Sequence, residues 1–72
     1  MPIDWEKQVY SSNVASVGYD REAKDLYVTF QKGARYVYRN VPEELADNLA
    51  NAPSVGSMLR SEIAPYYSYA RA

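Results

Sequence analysis

Apolar and polar positions alternate over Leu26-Tyr27-Val28-Thr29-Phe30, placing Leu26, Val28 and Phe30 on one side of an extended segment. That alternation is the mark of a half-buried β-strand. A β-rich stretch precedes it, Asn13-Val14-Ala15-Ser16-Val17-Gly18-Tyr19, and Arg35-Tyr36-Val37-Tyr38-Arg39 follows it. The intervening Asp20–Asp25 segment is charged and predicts a loop, while Gln31-Lys32-Gly33-Ala34 carries a glycine suited to a hairpin turn. Three short strands on short loops predict an antiparallel meander. Residues 1–10 are mixed polar and aromatic, and fit a lead-in arm or a short edge strand.

After residue 41 the period changes. Pro42 suits a first helical position, and Glu43 and Glu44 stand where the positive end of a helix favours carboxylates. Leu45, Ala46, Leu49 and Ala50 recur at helical spacing until Pro53. Ser54 is a predicted N-cap for a second helix, with Val55, Met58, Leu59 and Ile63 as its apolar stripe and Pro65 as its end. Residues 66–72 form a Tyr-rich tail without a clear period. The predicted fold class is α+β: one domain over 1–72, a three-stranded antiparallel meander with one face covered by two short C-terminal helices. The physical reason is that Leu26, Val28 and Phe30 need a cover, and the two helical stripes supply one.

Composition narrows the chemistry. The chain has 72 residues, no Cys and no His, and 8 Lys+Arg against 9 Asp+Glu for a net charge of −1. Disulfides, His/Cys metal sites and nucleophilic machinery built on His or Cys are excluded. No cofactor, metal site or enzymatic activity is expected, since no spacing of the carboxylates, Tyr, Lys or Ser assembles a catalytic site. No window is apolar enough to span a membrane. Met1–Lys7 lacks the basic start and apolar stretch of a signal peptide, so the expected location is the cytoplasm.

The candidate chemistry is concentrated in the third strand. Lys32-Gly33-Ala34-Arg35-Tyr36-Val37-Tyr38-Arg39 holds three of the basic residues and no acid. Cations attract phosphates and aromatic faces stack on unpaired bases, so Lys32, Arg35, Arg39, Tyr27, Tyr36 and Tyr38 form a candidate nucleic-acid set. Alternation divides it: Tyr36 and Tyr38 share one face, and Arg35, Val37 and Arg39 the other. If the tyrosines turn toward the helices they are core, and the open face then shows Arg35 and Arg39 beside Tyr27 and Thr29.

A second candidate is an anion site at the start of the second helix, from Ser54, Gly56 and Ser57 with Arg60 one turn on. The plainer reading is that Ser54 caps the helix and Gly56 permits tight packing against the first helix or a strand. Asp20, Glu22 and Asp25 are expected to form a solvated turn, because Arg21 and Lys24 intervene and no established cation loop has this spacing. Tyr66, Tyr67 and Tyr69 in the tail suit packing on the chain's own sheet or on a second copy.

Several segments in order resemble the KTSC domain, a short module named for its place at the C-terminus of some lysyl-tRNA synthetases and also found free-standing. They are Ser11-Ser12-Asn13, Val17-Gly18-Tyr19-Asp20, Leu26-x-Val28-x-Phe30, Tyr36-x-Tyr38, Val41-Pro42 and Ala52-x-Ser54-x-Gly56. The likeness runs from about Ser11 to Tyr69. Arg60, and Pro65-Tyr66-Tyr67 in place of a more basic ending, depart from it. The resemblance implies a role in RNA binding and no catalytic residues. Two functions stay open on the sequence: a binding module for RNA or single-stranded nucleic acid, and a protein-interaction or self-associating module with a protein partner or a homo-oligomer.

Overall fold

In a computed structural model, residues 3–72 are described. The meander is there, widened to five strands in the order β1-β2-β3-β4-β5, with every neighbouring pair antiparallel. The strands are β1 (Trp5–Gln8), β2 (Val14–Asp20), β3 (Asp25–Phe30), β4 (Arg35–Tyr38) and β5 (Tyr69–Arg71). The expected count of three is corrected at both edges. The N-terminal segment is an edge strand rather than a free arm, and part of the Tyr-rich tail is the opposite edge. Neither edge strand has a buried residue, so neither carries an alternating signal. Backbone pairing and aromatic contacts hold them instead, with Trp5 stacked on Tyr19 and Tyr69 tilted on Tyr36 and Tyr38.

Val14 and Val17 are both fully buried although they stand three positions apart, an offset that puts residues on opposite faces of a regular strand. The β2–β3 register shifts between Val14 and Ser16, and this bulge turns both valines to the same side. The β3–β4 hairpin turns at Gly33, whose φ of 99° lies where side chains are strained.

The long β4–β5 connection carries the helices, α1 (Glu43–Ala50) and α2 (Val55–Met58), the latter running into a π-helical turn over Leu59–Ile63. Most of both predicted stripes is buried, as Ala46, Leu49 and Ala50 on α1 and Val55, Leu59 and Ile63 beyond it, while Leu45 and Met58 are only partly buried. They cover Val17, Tyr19, Leu26 and Val28, with Phe30 at the margin. Tyr19 is fully buried, and its hydroxyl donates to the Val41 carbonyl, joining β2 to the entry of α1. Burial pushes its phenol above the ordinary value, keeping that hydroxyl protonated.

Two details of the helices differ from expectation. Pro42 is extended and takes the cap position, where its carbonyl accepts from the N–H groups of Leu45 and Ala46. Ser54 also sits at a cap position, but its side chain makes no capping hydrogen bond. Pro65 has no N–H to continue the ladder, and the last turn closes through the Ala64 N–H to the Leu59 carbonyl.

Candidate nucleic-acid interface

The register distributes the third-strand residues between two faces. Thr29 lies opposite Arg35 and Tyr27 opposite Val37 on the face away from the helices. The Arg35 guanidinium sits 5.2 Å from the centre of the Tyr27 ring, a cation–π contact. It also pairs with Glu6 Oε2 at 3.3 Å, and that same oxygen accepts from the Ser16 hydroxyl at 3.1 Å. Arg39 pairs with Asp25 Oδ2 at 2.9 Å. The arginine-bearing face therefore exists, but a carboxylate already neutralises each arginine.

Asp20 and Asp25 correct the expectation of a solvated turn, since both are buried. Asp20 Oδ1 accepts from the N–H groups of Glu22 and Ala23, and Asp25 has Arg39. They stand opposite each other at the end of the β2–β3 pair, and the nearby Arg39 offsets their repulsion. Among the described residues, no group of three or more Asp and Glu is arranged to hold a metal ion.

Tyr36 and Tyr38 turn to the helix side. Tyr38 is 5% exposed and belongs to the core, where burial raises its phenol's pKa, with smaller contributions from Tyr69 and Tyr36. Tyr36 is only half-buried, because the helices do not extend over the far edge of the sheet. There its ring meets Phe30 edge-on at 5.3 Å and Tyr69 at 5.2 Å. Tyr69 is 59% exposed and also lies 5.5 Å from Tyr38. The result is a row of aromatic rings whose outer members face solvent.

Two cations border this row. Lys32 lines a pocket of about 340 Å³ together with Ser12, Asn13, Phe30, Gln31, Ala34 and Tyr36. Arg71 stands opposite Tyr36 in the β4–β5 register, two residues from Tyr69 and so on the same face. No acid lines the pocket, and the ion pairs among the described residues involve Arg21, Arg35 and Arg39, not Lys32 or Arg71. Arg71 and Phe30 were not singled out as site residues from the sequence, and Tyr69 was read there as a tail residue suited to packing on the chain's own sheet or on a second copy. For Tyr69 and Arg71 no periodic signal marks the role, which appears only when the three-residue β5 pairs with β4.

Ser54, Gly56, Ser57 and Arg60 do come together, with Ser11, Ser12 and Asn13, around a smaller groove of about 190 Å³. It adjoins the first pocket through Ser12 and Asn13. A Cβ on Gly56 would meet only Ser11 Oγ at 3.7 Å and Asn13 Nδ2 at 3.9 Å. The expected tight packing of Gly56 on the first helix or a strand is thus replaced by ordinary contact with the turn before β2. Four-residue α2 is too short to supply a substantial dipole to an anion.

Known proteins share this arrangement of sheet and helices. A crystal structure of the KTSC domain protein YPO2434 from Yersinia pestis superposes with a TM-score of 0.85 and 29% sequence identity, over 94% of this chain and 96% of that one. An uncharacterized protein of Stutzerimonas stutzeri is 40% identical over 62 residues, covering 85% of this chain and 87% of its own. A protein of Tsukamurella paurometabola is 36% identical over 59 residues, covering 82% and 88%. The family model of the KTSC domain matches residues 10–67. That span reaches from the turn before β2 to the end of the helical segment, so the chain belongs to the KTSC domain family.

Proposed function

We propose that this chain is a non-catalytic module that binds single-stranded nucleic acid, RNA in the first place, along the Phe30–Tyr36–Tyr69 row. The observation that carries the reading is the juxtaposition of partly exposed aromatic rings with Lys32 and Arg71, two cations that pair with no carboxylate among the described residues. Rings offer stacking surfaces to unpaired bases, and free cations attract the phosphates between them. Arg35 and Arg39 fit this role less well, because a phosphate would have to displace Glu6 or Asp25.

With a net charge of −1, the chain has no general attraction for polyanions, so affinity is local and salt-sensitive. Two phosphate contacts correspond to a logarithmic salt slope of roughly −1.4 for a single strand. The module works in the cytoplasm in this reading. No helix among the described residues is long and apolar enough to cross a membrane.

The test is fluorescence anisotropy of a short labelled single-stranded RNA at two salt concentrations. Wild type and Arg35→Ala/Arg39→Ala, compared at a temperature where circular dichroism shows both folded, are expected to bind alike, and Lys32→Ala/Arg71→Ala to lose most of its affinity. Absence of wild-type binding at low salt, or loss confined to the Arg35/Arg39 variant, refutes the proposal.

One observation favours a second reading, a protein-interaction or self-associating module. β5 is an edge strand with all three residues exposed, flanked by Tyr66 at 73% exposure. Such an edge can accept a further strand. Sedimentation across a concentration series checks it, and a monomer at every concentration removes the self-associating form.

A further inference from the structure

Resting on the single-strand reading, we infer that the pocket beside the β3–β4 hairpin selects one unpaired base bearing an exocyclic amino group, cytosine or adenine in preference to uracil. The pocket of about 340 Å³ is at the small end of ligand sites, with room for one planar ring system rather than an extended ligand. Phe30 and Tyr36 meet at 68° and give it two aromatic walls. Lys32 stands at its rim for an adjoining phosphate.

Gln31 supplies the selectivity. Its Nε2 faces two backbone carbonyls, Ser11 O at 3.2 Å and Val14 O at 3.5 Å. Turning the amide over in this exposed side chain would set its oxygen against both carbonyl oxygens, so the network favours the nitrogen toward them. Oε1 accepts no hydrogen bond from any described residue, and it is the group left for a ligand. While Nε2 keeps these two carbonyls, Gln31 offers a ligand in the pocket it lines an acceptor rather than a donor.

An amino group meets such an acceptor with an N–H. Uracil meets it with a single N3–H flanked by carbonyl oxygens on both sides, which repel Oε1. Cytosine and uracil are of equal ring size and stack similarly, so the difference between them isolates the hydrogen bond from the aromatic walls.

The experiment measures anisotropy of labelled oligocytidylate, oligouridylate and oligoadenylate with the full chain at low salt. Oligocytidylate is expected to bind about five-fold more tightly than oligouridylate, the weight of one neutral hydrogen bond. Gln31→Met keeps the length of the side chain and removes the acceptor. It should bring oligocytidylate down to the oligouridylate level and leave oligouridylate unchanged. Equal binding of cytidylate and uridylate by wild type overturns this inference while leaving the single-strand reading intact. Undiminished preference in Gln31→Met overturns the assignment to Gln31. If no oligomer binds, both the inference and the reading beneath it fall.

Discussion

Glu6 on β1 meets Arg35 on β4 at 3.3 Å across the open face, although two strands stand between them. Because β2 contributes Gly18 and Ser16 there, long side chains can close over the middle of the sheet. The contact turns the most obvious cation of the third strand into a structural one. Arg35→Ala is expected to leave RNA affinity unchanged. The ion pair it breaks is partly exposed and contributes about 1 kcal/mol or less. Anisotropy and urea denaturation on the same sample check both statements, and a drop in RNA affinity would place the binding surface on the open face.

Arg39 differs in consequence because its partner is buried. Removing the guanidinium leaves Asp25 facing Asp20 with no cation between them. Arg39→Ala is expected to destabilise the fold by about 1–3 kcal/mol, the usual cost of stranding a buried polar group. Denaturant titration measures it, and Asp25→Asn in the same background should recover part of the loss.

Tyr69 is the outermost ring of the aromatic row and sits on an edge strand outside the core. Tyr69→Ala is therefore expected to preserve the fold and to weaken single-stranded RNA binding by about 1–3 kcal/mol, the range for one stacked base. Circular dichroism checks the first outcome and anisotropy the second. Tyr69→Phe should retain binding, since the ring and not the hydroxyl does the stacking.

Tyr19→Phe tests how the sheet is tied to the helices. The substitution keeps the ring in place but leaves the Val41 carbonyl, in a fully buried residue, without its donor. A loss of about 1–3 kcal/mol is expected in urea denaturation. No loss would mean that water replaces the hydroxyl.

Acid stability should depend on Glu43. Its carboxylate accepts from Arg21 Nε at 2.7 Å and from the Trp5 indole at 3.1 Å, clasping β1 and the β2–β3 loop to α1. The Arg21 hydrogen bond, then that of Trp5, holds its pKa below the ordinary carboxylate value. A depressed folded-state pKa means that the clasp stabilises fully above the unfolded pKa. The contribution is lost as pH falls from there through the folded value. Trp5 fluorescence should change over that acid window, and Glu43→Gln should remove the transition.

The central strands and both helical stripes were legible in the chain because their apolar residues repeat with the period of the element. Leu26, Val28 and Phe30 alternate, and Ala46, Leu49, Val55, Leu59 and Ile63 follow helical spacing, so burial was implied wherever a cover existed. The division of Tyr36 and Tyr38 from Arg35 and Arg39 also follows from alternation alone. The bulge beside Ala15 was not legible, because a one-residue shift changes the facing of neighbours without any change in composition.

What the sequence by itself determined is the layered core and the two-sidedness of the third strand, since both arise from local periodicity. Only the tertiary structure decided which cations are free. β1 brings Glu6 to Arg35 and hairpin geometry brings Asp25 to Arg39, while β5 lays Tyr69 and Arg71 beside Tyr36. The first and last of those relations join residues far apart in the chain through backbone pairing of the short edge strands β1 and β5. Pairing of that kind leaves no periodic trace, because its stabilisation comes from hydrogen bonds common to every residue type.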